Sequence, residues 1–476
     1  MSNFLRAAFV AALGLTLVVS TITSAGATPT PPSGAHDVPL SQQPIPESAN
    51  SATTIQVAAI PPCPYPVAAK PPAGTTAFSG VPIAFPATDG DGLLGIFAAG
   101  TTRYAAFGGN FRNVIGANGV SHPATNFAIV NEATGALVYA GTGINSYVWS
   151  IKSGPGVVYI AGDFTTFAGA SPHYIAALGF PLGKLTSWNQ GSSSQVRAIG
   201  VNPTTVFCGG ASSHISAVKV GSGALLWNQT GSGGPVMTMI LSPHLNSLFV
   251  GGLFEQVGSL KQHGLAQLYP LTTGAAYPAF KPVLKPDSGV GPEATWDGQE
   301  ALSLDWDLHS PGAPLLVLGW GGGGTTNGVA QVVPATGHFN WARKTEGDTQ
   351  GVAVVGNVYI SGNHRGHGNN IGCPYANQTT SFSTKGTILG YMNFRLSGNQ
   401  SNVDGGNNGV RPVLVDTVTH RLFLMGAFTR IGATCGAGGP SFIERGSWAF
   451  DDPRCYSTGS PAWPPRRRHG QWHRWR

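Results

Sequence analysis

A short motif recurs seven times along this chain of 476 residues and constrains its fold more than any other feature. Each copy has an apolar run that ends in a glycine, in most copies with a small residue before the glycine and an aromatic residue after it. The first copy reads Tyr-Ala-Ala-Phe-Gly-Gly-Asn-Phe at residues 104–111. The last glycines of the copies are Gly109, Gly162, Gly210, Gly252, Gly319, Gly362 and Gly426. Their average spacing, about 53 residues, is typical of the blades of all-β propellers and not of helical repeats.

Apolar runs and turns on both sides of the motif predict four short strands per repeat. A run and an Asn-Pro or Ser-Pro turn precede the motif, as at Asn202 and Ser242, and proline at such a place favours a hairpin turn. Another run and a Thr-Gly or Ser-Gly turn follow most motifs, and three of these turns lead to Trp188, Trp227 and Trp341. We therefore predict one four-stranded antiparallel blade per repeat. The glycine pair is expected to let inner strands pack closely and to tolerate a bulge, with the aromatic residue filling the wedge between blades.

The Gly-Gly-x-Phe motif, the apolar strand after it and the Thr-Gly-x-x-x-Trp turn together resemble the delta-sixty type of β-propeller repeat. Such repeats occur in many secreted bacterial proteins and are similar to those of fungal cortical cell-polarity marker proteins. The resemblance covers roughly residues 77–455. The sequence departs from the family's pattern in the later repeats, where Gly319-Trp-Gly-Gly-Gly-Gly and Asn363-His364 replace Gly-Gly-x-Phe. It implies a propeller fold and carries over no catalytic residue.

Four segments follow from these patterns. A basic residue, Arg6, an apolar run over 7–19 and the small residues Ala25-Gly-Ala27 together predict a signal peptide over 1–27. The apolar run is too short to span a bilayer. Residues 28–76 are rich in Pro, Ala, Ser and Thr, which predicts a disordered linker. Residues 77–460 are predicted to form an all-β domain, a single seven-bladed β-propeller of four-stranded antiparallel blades. Residues 461–476 form a basic Arg/Trp tail that we expect to be disordered.

The segment Val81–Phe85 resembles a fourth strand that lacks its own repeat. We predict that it pairs into the last blade and closes the ring, because closure removes exposed strand edges.

The charge of the chain is concentrated in its tail. The formal net charge is +6, of which Arg466, Arg467, Arg468, Arg474 and Arg476 supply five and Arg6 the sixth. The propeller segment is therefore neutral, which argues against a nucleic-acid partner, since such proteins carry a basic face. Arginine and tryptophan in the tail suit anionic cell-wall polymer or lipid headgroups; the alternative is a disordered terminus without a role.

Five cysteines in an exported chain allow two disulfides and one free thiol. Cys208 occupies a strand position that is apolar in the other repeats, so we expect it to be buried and unpaired. The pairs Cys373 with Cys435 and Cys63 with Cys455 are one of three possible connectivities.

Several constellations could carry chemistry. Asp305 and Asp307 alternate on one strand face, as an acid/base pair or as a solvated strand edge. His364 and His367 lack the further ligands of a metal site, and Asp89-Gly-Asp91-Gly suits a turn into the first strand better than a calcium loop. Thr336–Trp341 resembles the tryptophan-docking turn of quinoprotein dehydrogenases, where the tryptophan joins neighbouring blades. The polar residues expected near the axial funnel are Asn110, Asp163, Glu255, His364 and Arg430.

These observations favour a secreted, monomeric binding protein at the cell envelope with no catalytic residue, metal ligand or cofactor. Its expected partners are cell-wall polymer, another glycan or an extracellular protein, held by blade loops that include 285–300 and 364–404. No transmembrane segment and no nucleic-acid partner are expected. The alternative is a propeller enzyme, a hydrolase, lyase or quinoprotein-like oxidoreductase, with its site at the axial funnel.

Overall fold

The computed structural model of this protein describes residues 67–68, 83–88, 91–116, 119–179, 184–188, 192, 194–244, 246–282, 300–321, 327–345, 347–363, 379–389, 394–397, 410–419, 421–426, 430–433, 442–444 and 447–450. The described residues form strands and turns and contain no helix. The chain divides into two compact units, 1–58 and 59–476, and all described residues belong to the second. The predicted all-β class is therefore confirmed for the described residues.

Seven main sheets follow one another along the chain, and we number them 1 to 7. The strands of sheets 1 to 4 are Asp91–Ala99, Thr102–Asn110, Phe127–Asn131 and Leu137–Ala140; Val148–Gly154, Val157–Gly162, Ile175–Gly179 and Lys184–Leu185; Val196–Val201, Thr205–Gly210, Ile215–Lys219 and Leu225–Gln229; and Val236–Leu241, Leu248–Gly252 and Leu265–Leu268. Those of sheets 5 to 7 are Glu300–Asp307, Leu315–Gly321, Gly328–Val332 and Phe339–Lys344; Thr349–Val355, Val358–Asn363, Thr379–Ser383, Ile388–Leu389 and Val67–Ala68; and Val410–Asp416, Arg421–Gly426, Ser447–Phe450 and Ile83–Ala84.

Three small sheets accompany sheets 1, 4 and 7. In each, a strand that precedes the first strand of the sheet in sequence pairs with two strands from the connection between the second and third strands. They are Ala87–Thr88 with Asn113–Ile115 and Ser121–Pro123, Gly231–Ser232 with Gln256–Val257 and Leu260–Lys261, and Phe394–Ser397 with Arg430–Ala433 and Phe442–Glu444.

Sheets 4 and 6 depart from the predicted four antiparallel strands. Among the described residues of sheet 4, a single bridge between Leu268 and Ala276 stands where a fourth strand was expected. Pro270 and Pro278 flank it, and proline cannot donate to a strand ladder. Sheet 6 gains Val67–Ala68, which pairs parallel to Ile388–Leu389. The segment predicted as a disordered linker therefore contains one described strand.

The first strands of the sheets succeed one another in a cyclic order. Each lies beside the first strand of the next sheet, from sheet 1 to sheet 7, and the first strand of sheet 7 lies beside that of sheet 1. As predicted for Val81–Phe85, Ile83 and Ala84 pair with Ala449 and Trp448 and complete sheet 7.

Sheets 1 and 7 are also joined by side chains. Phe85 is buried, and its ring centroid lies 6.1 Å from that of Phe107 in sheet 1 and 5.3 Å from that of Phe423 in sheet 7. Arg103 of sheet 1 forms an ion pair with Asp416 of sheet 7. Although desolvation raises the pKa of Asp416, hydrogen bonds to its carboxylate, including those from Val418 and Arg103, bring the pKa below its usual value.

The two glycines of the motif have separate steric roles. In sheet 3, a Cβ on Gly209 would lie 2.8 Å from the side chain of Val236, in the first strand of sheet 4. A Cβ on Gly210 would lie 1.8 Å from the backbone oxygen of Gln195, just before the first strand of its own sheet. The first glycine therefore permits packing between sheets, and the second permits close approach within one sheet.

The three predicted tryptophans each bond to the next sheet or to the turn that follows its strands. Their Nε1 atoms donate to backbone oxygens, Trp188 to Lys219 at 3.0 Å, Trp227 to Leu271 at 2.6 Å and Trp341 to Thr384 at 2.9 Å. The docking role that the Thr336–Trp341 turn suggested is thus present for Trp341.

Cys208 is 3% exposed and free, as predicted. Burial raises the pKa of its thiol to about 12, against a hydrogen bond with Ser216 that lowers it. The other four cysteines lie outside the described residues.

Candidate functional site

A β-bulge near the beginning of the first strand recurs in sheets 2 to 7. There the pairing with the second strand shifts register, whereas sheet 1 pairs residue by residue over its described first two strands. In sheets 2 to 6 the extra residues are Trp149, Arg197, Met237, Leu302 and Gln350, all half-buried. Bulges re-aim side chains and are common beside functional sites. We call the end of the sheets where these bulges lie the bulge end, and the opposite end the hairpin end.

Three successive bulge residues, Trp149, Arg197 and Met237, contact each other in turn, and together with Tyr147 they form what we call the bulge cluster. The rings of Tyr147 and Trp149 stack with centroids 3.9 Å apart. The guanidinium carbon of Arg197 lies 5.4 Å from the centroid of the Trp149 ring, and its Nη1 donates to Met237 Sδ at 3.4 Å. An arginine over an aromatic face gains a cation–π attraction, but a thioether is a weak acceptor.

Polar atoms at this place lack hydrogen-bond partners. Trp149 Nε1 and Arg197 Nε are both buried donors without an acceptor, and Arg197 makes no ion pair within the described part of the chain. Asp163 Oδ1 is a buried acceptor without a donor. Asp163 follows the second strand of sheet 2, and its backbone N–H donates to Tyr147 O at 2.9 Å. Buried polar atoms are nearly always satisfied in folded proteins, so unsatisfied donors and an acceptor at the bulge end of sheets 2 and 3 require an explanation.

Farther along the first strands, Lys152 of sheet 2 and Asp305 of sheet 5 occupy equivalent positions, three residues after the bulge residue. Part of the Lys152 side chain is exposed to solvent, but protein atoms surround its ammonium group. The resulting desolvation lowers the pKa of Lys152, and attraction to Asp305 raises it. Desolvation likewise raises the pKa of Asp305 to about 6, although hydrogen bonds from the N–H groups of Trp306 and Val354 lower it. These bonds measure 2.8 Å each.

Asp307 is fully buried, so the solvated strand edge expected for the Asp305–Asp307 pair is wrong at this residue. Its Oδ1 accepts the N–H of His309 at 2.9 Å in the turn after the strand. Its Oδ2 accepts the hydroxyl of Tyr359 in sheet 6, which Gln331 also contacts. Burial, followed by the hydrogen bond to Asp307, raises the pKa of Tyr359. Both carboxylates thus bind neighbouring backbone or side-chain donors and join sheets 5 and 6.

Of the polar residues predicted near an axial funnel, the four that the structure describes, Asn110, Asp163, Glu255 and Arg430, lie at the bulge end. Asn110 and Glu255 are exposed, and Asp163 is half-buried. Arg430 lies in a strand of a small sheet beside sheet 7, and Asp91 begins the first strand of sheet 1. His364, His367, Asp89 and the basic tail lie outside the described residues.

The bulge residues were missed by the sequence analysis. In sheets 2 to 4 each bulge residue follows the valine that begins the first strand, as in Val148-Trp149, Val196-Arg197 and Val236-Met237. This position is the only signal for them in the sequence. Those positions differ in residue type, so they did not stand out as a repeat.

The longest connections also lie at the bulge end. The second strand ends there and the third begins there, joined by connections such as Asn110 to Phe127 and Gly162 to Ile175. At the hairpin end the first and second strands are joined by short turns, as between Ala99 and Thr102. The bulge end therefore offers the larger loop surface.

Within the described ranges, no group of three or more His, Cys, Asp or Glu side chains is arranged to hold a metal ion. No helix there is long and apolar enough to cross a membrane.

No family model matches the chain, and no curated protein matches it. Among solved structures, the chain is similar to the computationally designed Ika8 protein, with 12% sequence identity and a TM-score of 0.43 over 73% of this chain and 85% of that one. The resemblance to delta-sixty repeats therefore stays a prediction.

Proposed function

We propose that the seven sheets are the blades of one closed seven-bladed propeller with the first strands innermost. The cyclic order of the first strands and the contacts between sheets 1 and 7 support this arrangement. The electrostatic interaction of Lys152 with Asp305 supports it further, because sheets 2 and 5 are not neighbours in the order and their first strands would face each other only across a common axis.

The protein is, in this proposal, a secreted, non-catalytic protein that binds a protein or glycan of the cell envelope through loops at the bulge end. The observation that carries it is the concentration of long connections at that end, three of them ordered as small sheets. Loops positioned by a rigid scaffold commonly carry binding function, so the end with the longer loops is the better candidate. The carboxylates of Asp305 and Asp307 serve as acceptors for backbone and tyrosine donors, which suits a structural role.

The test is an alanine scan of the exported chain, residues 28–476, against an array of extracellular glycans and purified envelope proteins. Asn110, Glu255 and Lys261 are exposed at the bulge end, and His244, Leu308 and Val418 are exposed at the hairpin end. Alanine at one or more of the first three is expected to weaken binding about tenfold or more, as for interface hot spots. Alanine at the last three is expected to change it little.

Two results would overturn this proposal. One is a loss of binding caused by the hairpin-end substitutions and not by those at the bulge end. The other is turnover of a polysaccharide or alcohol substrate that Asp305→Asn or Asp163→Asn abolishes.

A further inference from the structure

We propose that the bulge cluster, together with Asp163, binds a sugar that carries a carboxylate, such as a uronic acid. The inference rests on the proposed binding function and names the chemistry of one ligand. It is argued from the unsatisfied atoms of Trp149, Arg197 and Asp163 and from the weak contacts that hold Arg197.

The carboxylate is inferred from Arg197. Its guanidinium rests against an aromatic face and a thioether, and it has no carboxylate partner among the described residues. Arginine presents a planar fork of donors that matches a carboxylate. A ligand carboxylate would exchange the weak contact with Met237 Sδ for charge-assisted hydrogen bonds and would satisfy Arg197 Nε.

The sugar is inferred from the mixture of donors and an acceptor. Trp149 Nε1 can only donate, and Asp163 Oδ1 can accept from a hydroxyl. Hydroxyl groups both donate and accept, so a polyhydroxylated ligand can satisfy both atoms, whereas an inorganic anion satisfies only the donors. The rings of Tyr147 and Trp149 already stack on each other without a ligand, and a preformed aromatic surface loses less entropy on binding than one that must assemble.

The experiment is titration calorimetry of the exported chain with D-glucuronate and D-galacturonate, with D-glucose as the neutral comparison. We expect at least one uronate to bind and glucose to bind much more weakly. Arg197→Gln should weaken uronate binding by roughly 10- to 100-fold, the range for a hydrogen bond to a charged group. Lys219→Gln removes one positive charge from an exposed residue of the same sheet and should leave the affinity unchanged.

Trp149→Phe provides a second variant, which keeps an aromatic side chain but removes one of the two fused rings of the indole together with its N–H. It should weaken uronate binding by about two- to tenfold and should remove the change in tryptophan fluorescence that ligand causes in the unsubstituted protein. Circular dichroism of each variant checks that the fold is intact.

Any of three outcomes would overturn the inference: no uronate binding, glucose binding equal to that of the uronates, or uronate affinity unchanged in both Arg197→Gln and Trp149→Phe. Loop-dependent binding of an envelope partner without uronate binding would reject this inference and leave the proposed function standing. Uronate binding that depends on Arg197, without any loop-dependent partner, would do the reverse.

Discussion

At the scale of single residues, the second glycine of the motif is fixed by its own sheet. In sheets 2, 3 and 4 a Cβ on Gly162, Gly210 or Gly252 would stand 1.8–2.1 Å from the backbone oxygen of Tyr147, Gln195 or Pro235. The residues that carry those oxygens immediately precede the strands that bulge. The glycine and the bulge are therefore two parts of one local geometry, and the bulge places Trp149, Arg197 and Met237 at the bulge end.

We expect Gly210→Ala to lower the free energy of unfolding by about 1–3 kcal/mol, because the backbone must move to admit the methyl group. Gly221→Ala is the matched control in the same sheet, since a Cβ there meets nothing within 4 Å. Urea denaturation measures both. Equal unfolding midpoints for the two variants would contradict the steric role of Gly210.

Asp305 gives stability a predictable pH dependence. Its pKa is raised from 3.8 to about 6 in the folded chain, so between these values the unfolded chain releases the proton first. The contribution of the protonated Asp305 carboxyl to the free energy of unfolding is thus fully present below about pH 3.8 and is lost as the pH rises through about 6. We expect Asp305→Asn to gain stability relative to the unsubstituted protein as the pH rises through this window, as urea titrations at several pH values would measure. A constant difference between the two proteins would refute the assignment.

At the scale of elements, three tryptophans, Trp188, Trp227 and Trp341, link sheets 2, 3 and 5 to the sheets that follow them. Trp341 stacks on Tyr359 with centroids 5.6 Å apart and donates to Thr384 O. Close approach is possible because Gly386, at φ +75°, has no Cβ; an added one would lie 2.8 Å from the Trp341 ring.

Trp341→Phe is expected to cost about 1–3 kcal/mol of unfolding free energy, because it leaves the Thr384 carbonyl without its donor. Trp149→Phe makes the same change at a tryptophan whose N–H has no hydrogen-bond partner. It should therefore lower the free energy of unfolding less than Trp341→Phe does. Thermal unfolding of both variants compares them directly. A larger loss for Trp149→Phe would contradict the docking role of Trp341.

Most of the strands and turns could be predicted from the sequence, whereas the register between strands could not, for a physical reason. Apolar runs, turns and tryptophans are local signals, so the strands, the buried Cys208 and the pairing of Ile83–Ala84 were predicted. Register is not local. In sheet 2 the second glycine of the motif, Gly162, pairs with the residue just before the bulge. In sheets 5 and 6 that position is taken by Trp320 and Asn363. Gly319 and Gly362 therefore correspond to the first glycine of the motif, not to the second. The bulge cluster was missed for the same reason, since a bulge depends on how two strands pair.

At the scale of the whole molecule, the contacts between sheets 1 and 7 decide whether the sheets form a ring. Arg103 and Asp416 are separated by 313 positions in the sequence. Glu132 of sheet 1 joins the same group, since the Thr419 hydroxyl donates to its Oε1 at 2.6 Å and Arg421 Nη1 donates to its backbone oxygen at 2.6 Å. Desolvation raises the pKa of Glu132, although the bond from Thr419 lowers it.

Phe85→Ala should destabilise the protein by about 3–5 kcal/mol, the usual cost of removing a buried aromatic ring. Phe85 contacts both Phe107 and Phe423, so its loss weakens the junction of sheets 1 and 7. Val418→Ala, at a residue of sheet 7 that is 68% exposed, should stay within about 0.5 kcal/mol. Denaturation that shows no difference between the two variants would count against a packed junction.

A crystal structure of residues 28–476 would decide whether the seven sheets close into one ring. We predict seven sheets around one axis, with the first strand of sheet 7 against that of sheet 1 and Arg103 bound to Asp416. An open arrangement with sheets 1 and 7 apart, two separate β domains, or eight complete blades would contradict it.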